Sequence, residues 1–159
     1  MIIEVENVSM QYQINRNRKI LALDDISYSI NSGETVGLIG LNGAGKSTTI
    51  KLLTGIIRPT EGKILIMGKD PFKKRKSICK KYGVMFGQRS QLWWDLPVKD
   101  SFYVNGSIYG MSKKQVDDRL LFFMRWLELD YLDVPVRKLS LGRRVMCDIL
   151  ISMLHSPEI

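Results

Sequence analysis

Apolar and polar residues alternate from the first residues of the chain. Across residues 2–8, Ile3, Val5 and Val8 are interleaved with Glu4, Glu6 and Asn7, the period of a half-buried strand. The alternation returns at residues 25–30, where Ile26, Tyr28 and Ile30 share one side, with a polar and basic turn at 15–19 between. The pattern therefore predicts an antiparallel strand pair. Two unbroken apolar runs have the length of buried strands: residues 35–39, opened by a Gly33-Glu34 turn, and residues 82–86, ending at Gly87 and Gln88. Between them, Ile50 and Leu53 fall at helical spacing, and Gly55 suits a helix C-cap. A turn at 58–62 leads to another strand at 63–67, followed by a basic helix.

From Pro97 the pattern turns helical. Ser112 and Gln115 have the spacing of a capping box. It opens a helix on which Val116, Leu120, Phe123 and Leu127 recur at steps of three and four, a core-facing stripe. After the break at Pro135 a last helix is expected over 140–154. Val145, Ile149 and Met153 line one face of it, with Met146, Leu150 and Leu154 beside them.

Composition adds little to this α/β picture. The chain has 159 residues, 45% hydrophobic and 25% charged, as an ordinary globular domain does. No apolar run approaches the ~20 residues of a membrane-spanning helix, and the start carries no basic leader or small-residue cleavage site, so a signal peptide is not expected. Cys79 and Cys147 lack metal-ligand spacing and are read as reduced thiols of a cytosolic protein. The net charge of +8 falls to +2 once Lys73, Lys74, Arg75, Lys76, Lys80 and Lys81 are set aside. That cluster reads as a solvated face; attraction to an anionic membrane or to nucleic acid is the sharper alternative, and without interleaved aromatics nucleic-acid binding is not expected.

The chemistry concentrates in the string GLNGAGKST at residues 40–48, which fits G-x-x-x-x-G-K-[ST] and sits between an expected strand and an expected helix. Glycines at 40, 43 and 45 let backbone approach phosphate oxygens closely. The N–H groups of Asn42, Gly43, Ala44, Gly45, Lys46, Ser47 and Thr48 then face an anion at a helix N-terminus. Lys46 supplies a point charge for the β and γ phosphates, and the Ser47 hydroxyl a ligand for Mg²⁺.

Together these motifs resemble the ATP-binding subunit of an ATP-binding cassette (ABC) transporter, along the whole chain and in the same order. The resemblance implies a P-loop NTPase fold with an antiparallel β part and a helical subdomain. It places a P-loop core at 1–88, a helical subdomain at 89–150 and the approach to a Walker B strand at 151–159. Tyr12 matches the aromatic on which the family stacks adenine, and 40–48 its Walker A loop. Gln88 matches the Q-loop glutamine, which implies contact with Mg²⁺ and the attacking water. LSLGR at 139–143 matches the signature usually written LSGGQ, so Ser140 and Gly142 are expected to contact ATP held by a second ATP-binding domain. The partners implied are that second domain, identical or not, and a transmembrane permease subunit, at the inner face of the membrane.

The stretch FGQRSQLWWDLP at 86–97 resembles that of multidrug and antibiotic-resistance exporters of the family. Trp93 and Trp94 lie where the membrane subunit docks in the family; a docking patch and simple subdomain packing both remain open. Arg143 stands where the signature usually has Gln, and Leu141 where it often has Gly. The family's Walker B aspartate, catalytic glutamate and switch histidine have no match here. The resemblance implies that the intact protein hydrolyses ATP to energise transport, whereas this chain, read as truncated, is expected to bind nucleotide weakly at best and turn it over negligibly. The alternative functions are a non-hydrolysing nucleotide-binding module or an ABC-type ATPase acting on nucleic acid. His155, the one histidine, is read as a cation near a helix C-terminus.

Overall fold

The long alternating segments become a hairpin, β1 (Ile3–Asn15) and β2 (Arg18–Ile30), joined by a two-residue turn. Their antiparallel register pairs Ile3 with Ile30, Tyr12 with Ile20 and Asn15 with Arg18. The strands run well past the alternation at 2–8 and 25–30, because the tight turn carries ladder pairing outward where burial no longer selects apolar residues. β3 (Glu61–Ile66) pairs with the other edge of β1, Ile3 opposite Ile66 and Val5 opposite Ile64, giving the order β2-β1-β3. Val5, Val8, Ile64 and Ile66 are buried on this sheet. Gly62 cannot be replaced cheaply: its φ is +82°, and a Cβ would lie 2.2 Å from the Asn7 carbonyl oxygen.

This computed structural model describes residues 1–87 and 90–159, in two compact units, Met1–Cys79 and Lys80–Ile159. In the first, α1 (Lys46–Leu53) buries Thr49 and Leu52, whereas Ile50 of the expected pair stays 38% exposed. Gly55, at φ +66°, ends the helix as expected, with Ile56 N donating to Lys51 O. The basic stretch forms only α2 (Arg75–Ile78) and a 3-10 turn, Cys79–Lys81. Lys73 reaches Asp70, three residues earlier, at 3.8 Å, and Lys81 pairs with the sequence-distant Glu158, so nearby and distant acids partly neutralise an exposed face.

Two expected strands do not form. Residues 35–39 have no pairing strand among the described residues, and Val36, Leu38 and Ile39 are 58%, 50% and 94% exposed. An all-apolar run signals burial on both faces, and it becomes a strand only where neighbours flank it. Residues 82–86 also fall outside the assigned strands. There, however, Ile159 N donates to Lys81 O at 3.1 Å and Gly83 N to Ile159 O at 2.8 Å, the alternation of a parallel pair.

The second unit is helical. α3 (Val98–Ile108) buries Val98 and Phe102 completely. α4 (Lys113–Met124) opens with the expected capping box: Ser112 Oγ accepts from Gln115 N, and Gln115 Oε1 accepts from Ser112 N. Val116, Leu120 and Phe123 are its buried stripe. α5 (Leu141–Ser152) turns Cys147, Leu150 and Ile151 inward. The face of Val145, Ile149 and Met153 is the outer one, at 41%, 37% and 48% exposure. Apolar residues cover so much of this helix that periodicity alone could not choose the buried side.

Candidate functional site

The loop at 40–48 is built by glycine geometry. Gly43 and Gly45 take φ of +86° and +84°, a region that costs other residues strain. Around Gly43 nothing lies within 4 Å of where a Cβ would be, so that side of the loop is open. Gly45 differs. A Cβ there would meet Leu23 Cδ2 at 2.5 Å and the Ala22 carbonyl oxygen at 2.6 Å, because the loop runs directly against β2. Sequence reading missed this packing role; the motif alone accounts for that glycine, and nothing in the pattern points to Leu23.

Gly45 is also the N-cap of α1, whose first turn carries no acidic residue. The unpaired N–H groups and dipole there favour an anion. Asn42, Gly43 and Ala44 are exposed at the open side of the loop, and so is Ser47 in the first helical turn. Lys46 Nζ donates to the carbonyls of Gly40 and Leu41, both at 2.6 Å. The ammonium thus bridges the start of its own loop, beside the amides expected to meet phosphate. Tyr12, on β1, brings its hydroxyl to 3.5 Å from Thr48 Oγ1. An aromatic ring therefore stands next to the phosphate loop although 36 residues separate the two. These groups fit a nucleoside triphosphate: donors and a cation for phosphates, a hydroxyl for a metal, a half-buried ring for a base.

Among the described residues no cluster of three His, Cys, Asp or Glu gathers to hold a metal. The donors the sequence offers Mg²⁺ are Ser47 and Gln88, and Gln88 lies outside the described residues. A cleft of about 460 Å³ in this unit lies at the other end of α1, among Leu52, Arg58, Lys63 and Asp70. It holds none of the predicted site residues.

Ser140 and Gly142 belong to the second unit, at the start of α5. Ser140 is the N-cap, its Oγ accepting from Arg143 N at 3.3 Å. Gly142 is exposed, with open space where a Cβ would point, and Leu141 is 70% exposed. The helix start thus presents a small-residue, amide-rich surface. Arg143 turns away to Asp130, at 3.5 Å, with its guanidinium 4.5 Å from the Tyr131 ring centre. Trp93 and Trp94 are 53% and 54% exposed. His155 is not the cation expected. Its ring stacks on Tyr109 at 3.7 Å and bonds the Tyr82 carbonyl at 3.2 Å, while burial lowers its pKa. Because a carbonyl only accepts, Nε2 carries the proton.

Comparison with known proteins gives the family and the fold. The sequence profile described as ABC transporter matches residues 23–159. The chain belongs to the ABC transporter family. It is 29% identical over 163 aligned residues to the ABC transporter ATP-binding protein NatA of Bacillus subtilis, covering 99% of this chain and 64% of NatA. The bacitracin transport ATP-binding protein BcrA of Bacillus licheniformis is 32% identical over 142 residues, 87% of this chain and 44% of BcrA. A dimeric ATP-binding cassette solved in a post-hydrolysis state with ADP and Pi superposes with a TM-score of 0.78 at 25% identity, over 98% of this chain and 70% of that one. The fold is accordingly that of an ABC cassette of P-loop NTPase type, with its antiparallel β part and its helices. The chain spans roughly half to two thirds of these curated relatives. Among the described residues, no helix is long and apolar enough to cross a membrane.

Proposed function

We propose that this chain is the ATP-binding part of an ABC transporter, in which ATP binding and hydrolysis drive a substrate across a membrane, most simply outward. The observation that carries the reading is the juxtaposition of Tyr12 with Thr48 at the open glycine loop. In this reading the adenine stacks on Tyr12, and the amides of 42–48 bind the phosphates. Lys46 exchanges its two loop carbonyls for β and γ oxygens. Ser47 and Gln88 hold Mg²⁺, which supplies charge neutralisation for phosphoryl transfer. Ser140 and Gly142 close on ATP held by a second ATP-binding domain, so the working unit is a dimer, identical or mixed.

The relatives favour such a pairing: one is a transport ATP-binding protein for bacitracin, and the structural neighbour is dimeric. The membrane partner is a permease subunit at the inner face, with Trp93 and Trp94 toward it. The reading is tested with a fluorescent ATP analogue, trinitrophenyl-ATP. Wild-type chain binds it in the presence of Mg²⁺, and Lys46→Ala weakens binding at least about tenfold, the loss of one charge-assisted contact or more. Equal binding by both proteins would overturn the reading.

A further inference from the structure

The loop that follows Gln88 is held with unusual care. Ser101, Asn105 and Asp148 are the buried polar residues among the described part of the second unit, and all three bond residues 90–93. Asp148 Oδ1 accepts from Ser90 Oγ at 3.1 Å and from Gln91 N at 2.8 Å. Asn105 Nδ2 donates to Gln91 O at 3.3 Å, and Ser101 Oγ accepts from Trp93 N at 2.9 Å. One turn before Asp148 on α5, the Arg144 guanidinium lies 5.0 Å from the Trp94 ring centre. Buried polar side chains normally satisfy scattered backbone groups of their own surroundings. Here they converge on Ser90, Gln91 and Trp93, the last of them one member of the exposed tryptophan pair Trp93 and Trp94.

We infer that Asp148 is a positioning residue, fixing residues 90–94, and with them Trp93 and Trp94, to the helix that Ser140 caps. The carboxylate sits 8% exposed in the second turn of α5 and takes both bonds on one oxygen. Arg144, four residues earlier and so on the same helical face, adds a second grip at Trp94. A force applied at the tryptophans therefore reaches the first turn of α5 through two side chains rather than through a slack loop. Read with the proposed function, on which this step rests, a membrane subunit seated on Trp93 and Trp94 moves Ser140 and Gly142 directly.

The experiment uses a Trp126→Phe background, which leaves Trp93 and Trp94 as the tryptophans of this three-tryptophan chain. Asp148→Ala is expected to raise acrylamide quenching of that pair about twofold, because Gln91 N and Ser90 Oγ lose their acceptor. Asp148→Asn is expected to restore the parent value, its amide oxygen accepting the same two bonds. Trinitrophenyl-ATP binding should stay within about twofold in all three proteins, since residues 40–48 belong to the other compact unit. Parent-like quenching in folded Asp148→Ala overturns the inference, and so does an Asn variant that behaves like Ala. If Asp148→Ala does not fold, Ser90→Ala, which removes one donor and buries nothing new, takes its place, and unchanged quenching there overturns the inference equally. Failure of the ATP reading shows separately, as absence of Lys46-dependent binding in the parent.

Discussion

The hydroxyl of Tyr12 and Oγ1 of Thr48 lie 3.5 Å apart, joining the C-terminal part of β1 to the first turn of α1. That separation is at the outer limit of a hydrogen bond, so the contact itself is weak and the ring is what matters. Tyr12→Phe should therefore change ATP affinity by less than about twofold, while Tyr12→Ala should weaken it about tenfold by removing a stacking surface. Titration with ATP followed by calorimetry separates the two, and equal losses in both variants would assign the effect to the hydroxyl instead.

Arg143 replaces the usual signature glutamine and points to Asp130 and Tyr131, with half its side chain exposed. Exposed ion pairs and ring contacts of this kind stabilise little. Arg143→Gln is expected to cost less than about 1 kcal/mol of folding stability. Denaturant melts compare it with wild type; a cost above about 2 kcal/mol would show that the Asp130–Tyr131 contact is structural.

Burial lowers the pKa of His155 from its ordinary 6.5, against the weaker opposing pull of the Tyr82 carbonyl. A histidine whose folded pKa is depressed binds fewer protons folded than unfolded. Its contribution is fully present above about pH 6.5 and is lost as pH falls below that value toward the folded pKa. Nδ1, buried without a hydrogen-bond partner among the described residues, would have to carry the added proton. Thermal midpoints measured from pH 7.5 to pH 5 should fall more steeply in wild type than in His155→Phe; parallel curves would count against it.

The two cysteines should differ in reactivity. Cys147 is fully buried on α5, and burial pushes its thiol up to about 11, whereas Cys79 is partly exposed. A disulfide reagent at pH 8 should modify one thiol per native chain and both after unfolding, since the thiolate is the reactive form. Mass spectrometry of the tagged peptides identifies which; rapid labelling of Cys147 would contradict its burial.

Local signals carried the local structure. The alternation at Ile3 and Val5, the Ser112–Gln115 box and the Gly55 cap all read directly, because each depends on neighbours a few residues away. What escaped depends on distant partners. The run at 35–39 looked like a strand from its composition, yet strand formation needs flanking strands that composition does not describe. His155 looked like a helix-end cation until Tyr109 covered it. Lys46, Ser47 and Thr48 could be proposed from the sequence because the phosphate motif is contiguous. The hold of Asp148 on Ser90 and Gln91 was not, since an aspartate inside a helix normally reads as a solvent-facing residue.

Gly45 meets three demands at once: a left-handed backbone, a helix start, and no atom to spare against Leu23 and Ala22. A substitution there would disturb the hairpin and the phosphate loop together. In any mutational survey it would be among the most damaging positions and among the least informative, since lost binding could not be separated from displaced β2. Gly43, free of neighbours, is the position at which loop conformation alone can be varied.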